Sequence, residues 1–204
     1  VAYSEGKYDE ALGYFQNAAQ RDPKDAATHH YLGMTLMQQG KYGPAAESLE
    51  QARSLDPTIT ELPYDLGVTY FRAKDYAKAL SAFSEAEKAQ PDRAMAYFYQ
   101  GYIHYLLEAY DQAAAPLNKA QELDPSLAQS CQFYRAMSLM KAKKYDEAGT
   151  EFQATVDTDP KTELADAAQK LQSRLAALKK AEKRWSLTPS ISTQYDDNVT
   201  LEPD

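Results

Sequence analysis

Alanine, tyrosine and large apolar positions recur along this chain in one fixed register, separated by polar residues and closed each time by a proline. Asp22-Pro23, Asp56-Pro57, Gln90-Pro91, Asp124-Pro125 and Asp159-Pro160 mark the closures, with the prolines 34, 34, 34 and 35 residues apart. Eight residues before each proline stands Phe15, Leu49, Phe83, Leu117 or Phe152. Four residues earlier comes Ala11, Ala45, Ala79, Ala113 or Ala148, and three before that Tyr8, Tyr42, Tyr76, Tyr110 or Tyr145. A repeat of this length with helical spacing inside it predicts stacked helical hairpins.

The columns have a packing reason. Gly33, Gly67, Gly101 and Ala136 are small enough for a second helix to approach closely. Ala45, Ala79, Ala113 and Ala148 do the same from the partner helix, and the Phe or Leu one turn later fills the space between. Proline then stops the helix and sets the turn into the next unit. The run Tyr31-Leu32-Gly33 through Gly40-Lys41-Tyr42, Ala45, Leu49, Ala52 and Leu55-Asp56-Pro57 resembles the tetratricopeptide repeat almost column for column, and the resemblance covers residues 1–160. It implies an all-α fold, a right-handed superhelix of helix-turn-helix repeats.

In this register 1–23 is a truncated repeat, with the opening of its first helix missing, and 24–57, 58–91, 92–125 and 126–160 are full ones. Residues 161–184 read as a capping helix with Leu164, Ala168, Leu171, Leu175 and Leu178 at helical spacing, because a solenoid needs its apolar end closed. Some columns depart from the pattern. Gln100 and Arg135 stand where leucine is usual and His104 where tyrosine is usual, which predicts a looser junction between the third and fourth full repeats. Pro63 falls in the first turn of its helix, where amide groups lack intrahelical partners and proline is tolerated.

Residues 185–204 have a different pattern, expected as a non-helical, extended tail. Trp185, Leu187, Ile191 and Tyr195 fall on one side, and Ser186, Thr188, Ser190, Ser192 and Gln194 on the other. This alternation matches a strand with one apolar face, long enough for a membrane barrel. With Asp196, Asp197 and Asn198 after it, the tail resembles the first strand and turn of outer-membrane β-barrels that carry a periplasmic repeat domain in front, as in exopolysaccharide-export porins and surface-lipoprotein assembly proteins. The other reading is a polar linker. Lys179, Lys180, Lys183 and Arg184, just ahead of it, suit the C-terminal end of a helix dipole or lipid headgroups.

Composition narrows the chemistry. The net charge of −8 disfavours a nucleic-acid partner, which needs a concentrated basic face. One cysteine, Cys131, excludes an internal disulfide and a cysteine-based zinc site. His29 and His30 diverge by about 100° on a helix and cannot share an ion. Asp196, Asp197 and Asn198 lack the acidic ligand that a calcium loop requires. No glycine-rich phosphate loop or nucleophile–base–acid set is present, so neither enzyme activity nor a cofactor is expected.

What remains is a surface. About 100° from the core stripe of each first helix lies a second stripe that faces the concave side in solenoids of this kind. It reads His30, Met34, Met37; Tyr64, Val68, Phe71; Phe98, Tyr102, Tyr105; and Phe133, Met137, Met140. These residues either pack between neighbouring first helices or line a groove for an extended protein or peptide segment. The Lys, Asn and Arg with which related co-chaperones capture a C-terminal carboxylate are not at these positions, so that mode is not expected. The leading expectation is a periplasmic, outer-membrane-associated scaffold that helps to export or assemble a surface polymer or lipoprotein. Membrane association would come through a barrel beyond the tail, and self-association through tail or groove. The alternative is a free-standing adaptor, cytoplasmic or periplasmic, that binds peptide segments.

Overall fold

The computed structural model describes residues 2–186, with side chains as far as residue 180. Among these residues the chain is all-helical, without a strand. After α1 (Tyr8–Arg21), helices pair as α2 (Ala26–Gln38) with α3 (Tyr42–Leu55), α4 (Leu62–Arg72) with α5 (Tyr76–Ala89), α6 (Ala94–Leu106) with α7 (Tyr110–Leu123), and α8 (Ala128–Lys141) with α9 (Tyr145–Thr158). The last helix is α10 (Glu163–Ser186).

Two kinds of turn alternate, each set by local chemistry. Within a pair, the first helix ends on a residue with left-handed backbone: Gly40 (φ 74°), Lys74 (63°), Glu108 (60°) and Lys143 (62°). The next amide then reaches back to the first helix, Lys41 to Leu36, Asp75 to Tyr70, Ala109 to His104 and Lys144 to Leu139, each at 2.9 Å. This bonding satisfies carbonyls that the helix end would orphan. Gly6 (φ 74°) makes the same turn ahead of α1.

Between pairs, the aspartate before proline is extended and its carboxylate accepts the amide two residues on. Asp22 takes Lys24 at 3.1 Å, Asp56 takes Thr58 at 2.9 Å, Asp124 takes Ser126 at 2.9 Å and Asp159 takes Lys161 at 3.0 Å. These are turns that Asp makes with its own backbone. Gln90 has no such reach, and there the Arg93 guanidinium donates to the Gln90 side chain at 2.6 Å instead.

The core is one seam running through the stack. Ala45, Leu49, Ala79, Phe83, Ala113, Leu117, Ala148 and Phe152 are completely buried. Gly33, Gly67 and Gly101 sit against Leu49, Phe83 and Leu117, so close that a β-carbon would meet them at 2.6, 2.6 and 2.5 Å. Each buried Leu or Phe contributes about 1.5–3 kcal/mol by leaving water. The polar replacements in the leucine column make side-chain bonds, although among the described residues Arg135 Nε is buried without one. Gln100 reaches Glu87 at 3.4 Å, while Arg135 bridges Gln121 and Glu151 at 2.9 Å each.

At the C-terminal end Ala165, Ala168 and Leu175 of α10 are buried, the latter two packing on Ala148 and Phe152. Leu178, expected in the same stripe, is exposed, so the cap's apolar contact ends a turn earlier, while Lys179 still pairs with Asp146 of α9. The helix also runs past residue 184. Trp185 and Ser186, expected to open an extended tail, have helical backbone. The rest of that tail, 187–204, and the barrel-strand reading placed on it lie outside the described residues.

First helices touch one another along the array: α2 with α4, α4 with α6, and α6 with α8. The backbones of the second helices α3, α5, α7 and α9 do not approach one another in this way among the described residues, and α3 reaches α5 through a long side-chain ion pair, Arg53 to Glu85 at 2.9 Å. One layer is therefore compressed and the other splayed, which curves the stack with the first helices on its inner side.

Candidate functional site

The inner side is built by the first helices, and the second stripe of each is half-buried. His30, Met34, Met37, Tyr64, Val68, Phe71, Phe98, Tyr102, Tyr105, Phe133, Met137 and Met140 all keep part of their surface open. All twelve stand between full burial and free exposure, each with some surface left to a ligand.

Their contacts differ along the array. At the N-terminal end His30 Nε2 lies 2.6 Å from a carboxylate oxygen of Asp65, tying α2 to α4. The Thr69 hydroxyl, which donates to the Asp65 carbonyl at 2.7 Å, also touches the Met37 sulfur at 3.3 Å, a second tie between the same helices. The Arg93 guanidinium lies 3.5 Å from the centre of the Tyr64 ring, a cation–π contact. At the C-terminal end Phe133 turns edge-on to buried Phe152, ring centres 6.1 Å apart, and Met137 and Met140 pack on the same core cluster.

Between these ends the rings join into a continuous patch. Phe71 stands 5.0 Å from Tyr99 and 5.8 Å from Tyr102, which crosses from α4 to α6. Tyr102 stands 4.5 Å from Tyr134, which crosses from α6 to α8. Phe98 lies 5.9 Å, and Tyr105 5.8 Å, from the same Tyr134. Tyr99 and Tyr134 were not in the stripe read from the sequence. They follow Phe98 and Phe133 by one residue, in the column that holds Tyr31 and Asp65. The signal was three tyrosines in four at that column.

The patch is uncharged. Burial raises the Tyr64, Tyr105 and Tyr134 phenols, Tyr134 to about 12 with Tyr102 beside it, so they stay protonated donors. Burial pushes His104 down, favouring the neutral ring. Cys131 is buried beneath this region and its thiol is pushed up to about 11 by desolvation, which leaves it a packing group and not a nucleophile. Among the described residues no three His, Cys, Asp or Glu side chains converge as a metal site, and no helix is long and apolar enough to cross a membrane.

Tetratricopeptide-repeat family models match residues 2–49, 64–128 and 130–162, together well over half of the chain. This chain belongs to the tetratricopeptide-repeat family. Comparison with curated proteins gives no match. Among solved structures it is similar to MamA, with a TM-score of 0.73 and 24% identity over 78% of this chain and 93% of that one. A MamA from Desulfovibrio magneticus RS-1 gives 0.73 and 21%, over 79% and 91%. YrrB, described as a TPR protein with an unusual peptide-binding site, gives 0.74 and 20%, over 83% and 87%. At these identities the likeness concerns the fold. Tetratricopeptide-repeat proteins are protein-interaction scaffolds, and no catalytic family is indicated.

Proposed function

We propose that this chain is an interaction scaffold that grips an extended segment of a partner protein on its inner, aromatic face. The observation that carries the reading is the uncharged ring patch Phe71–Tyr99–Tyr102–Tyr134, which crosses three first helices and keeps its members half open. Phe71 and Tyr99 also pack on the core around Phe83, and Phe98 and Tyr134 on that around Leu117. Packing does not account for the ring surface they leave open, and binding hot spots are rich in aromatic residues. The peptide-binding site named for YrrB supports this use of the fold.

The finer setting we propose is the periplasm, ahead of an outer-membrane barrel, in export or assembly of a surface polymer or lipoprotein. Its support is the period-two pattern from Leu187 to Tyr195 in the sequence. A free-standing adaptor is the second reading, supported by the likeness in fold to solved tetratricopeptide-repeat proteins such as MamA and YrrB. Cell fractionation separates the two: the first places the protein with the outer membrane, and recovery in a soluble fraction overturns it.

The groove is tested by selecting displayed peptides on the native protein and titrating the winners against Phe98→Ala and Tyr102→Ala. Each variant is expected to weaken binding about tenfold or more, equivalent to about 1.4 kcal/mol, while remaining folded. Unchanged affinity with a lowered Tm would show that these rings serve packing alone.

A further inference from the structure

The chemistry of the inner face narrows the segment it accepts. From Phe71 to Met140 the stripe, with Tyr99 and Tyr134, offers ring faces, thioethers and phenol hydroxyls, but no carboxylate, amide or ammonium group. Charged groups stand at its N-terminal end, Asp65 held by His30 and Arg93 over the Tyr64 ring. Resting on the groove reading above, we infer that the partner segment is an uncharged, proline-rich stretch in polyproline II conformation, with a proline at every third residue.

Three features select it. A bound α-helix has its backbone carbonyls already satisfied, so phenols covered by it are left without acceptors, an unfavourable burial. A polyproline II segment has no internal hydrogen bonds and presents its carbonyls to those donors. Strand pairing is closed, since the face consists of helices and offers no sheet edge.

Proline itself matches the inventory. It carries a carbonyl acceptor and no amide donor, and the face from Phe71 onward supplies phenol donors with no carbonyl or carboxylate side chain to receive an amide. Its ring stacks on aromatic side chains, as in other aromatic grooves that read such segments. A sugar chain presents many hydroxyls, whose recognition calls for the carboxylates and amides that this stripe lacks.

The repeat distances agree. Neighbouring packed helices lie about 8–10 Å apart, and α4, α6 and α8 are neighbours in this sense. Polyproline II rises about 3.1 Å per residue with three residues per turn, so equivalent positions recur every 9 Å or so, about one per first helix. Phe71, then Phe98 and Tyr102, then Phe133 and Tyr134, are thereby offered to successive prolines.

Isothermal titration of the full chain tests this with three neutral synthetic peptides of equal length. One has proline at every third position, one has the same composition with its prolines clustered, and one is an amphipathic helix former. The period-three peptide is expected to bind at least tenfold tighter than either of the others. Tyr105→Phe, which removes only a hydroxyl, is expected to weaken it two- to fivefold with Tm unchanged, and Tyr102→Ala at least tenfold. Tighter binding of the helix former, weakened by Tyr102→Ala, overturns the polyproline inference and leaves the groove standing. So does equal binding of the clustered peptide. If sedimentation shows a dimer that Tyr102→Ala dissociates, a second copy is the occupant and the inference fails. If no peptide responds to Tyr102→Ala and the protein stays monomeric, the groove reading fails with it.

Discussion

Glycine shows how closely single residues are constrained here. A β-carbon on Gly101 would stand 2.5 Å from the Leu117 side chain and 3.0 Å from the Ala113 carbonyl. Gly101→Ala gains about 1 kcal/mol of helix propensity but overpacks a closed seam, which costs about 1–3 kcal/mol. It is expected to lower the urea midpoint. Gly13, inside α1, has nothing within 4 Å of the same position, so Gly13→Ala is expected to raise the midpoint by up to about 1 kcal/mol equivalent. If both variants shift the same way, the close approach is not what places glycine in that column. Residue-level legibility follows the same division. Gly33, Gly67 and Gly101 could be read from their spacing, because a helix contact admits few solutions. Tyr99 and Tyr134 are signalled only by their tyrosine-rich column, because a stripe counted in whole residues divides a continuous surface that the rings, reaching sideways, join. The pairing of His30 with Asp65 could not be read, since it depends on how α2 and α4 sit against each other.

The helix-ending turns carry the argument to the element. Gly6 and Gly40 take the left-handed position without strain, while Lys74, Glu108 and Lys143 hold it with a side chain. That conformation costs an L-residue about 1–2 kcal/mol, and these three persist because the returning amide at 2.9 Å closes each helix. Glu108→Gly and Lys143→Gly are each expected to stabilise the fold by about 1 kcal/mol, measured as a rise in Tm. A fall would mean that the side chains make contacts that outweigh the backbone strain. These turns were only partly legible, since two of five hold the glycine that signals them. The helices were legible throughout, because each column reports a contact repeated along the chain. The end of α10 was misplaced because a few alternating apolar residues do not locate their own first member. A helix already nucleated adds each further residue with little opposition, and it carries on through Trp185 and Ser186.

At the scale of the molecule, each hairpin of a linear stack touches only its neighbours, so stability is a sum of units and the contacts between neighbours. The C-terminal unit depends on α10, whose Ala168 is completely buried and packs, with Leu175, in the cluster of Phe152 and Ala148. Ala168→Asp places a carboxylate there without a partner, at a cost on the order of 3–5 kcal/mol. The neighbour-only contacts predict where that cost falls. Amides of α8 and α9 are expected to lose hydrogen-exchange protection, α6 and α7 to lose less, and α2 to α5 to keep theirs. The aromatic patch spans this gradient, since Tyr134 belongs to α8 and Phe71 to α4. Affinity for a bound segment is therefore expected to fall with the loosening of α8 while the N-terminal hairpins stay folded. Equal loss of protection in every helix would show instead that the array unfolds as one unit, with the seam through Leu49, Phe83, Leu117 and Phe152 coupling all its hairpins.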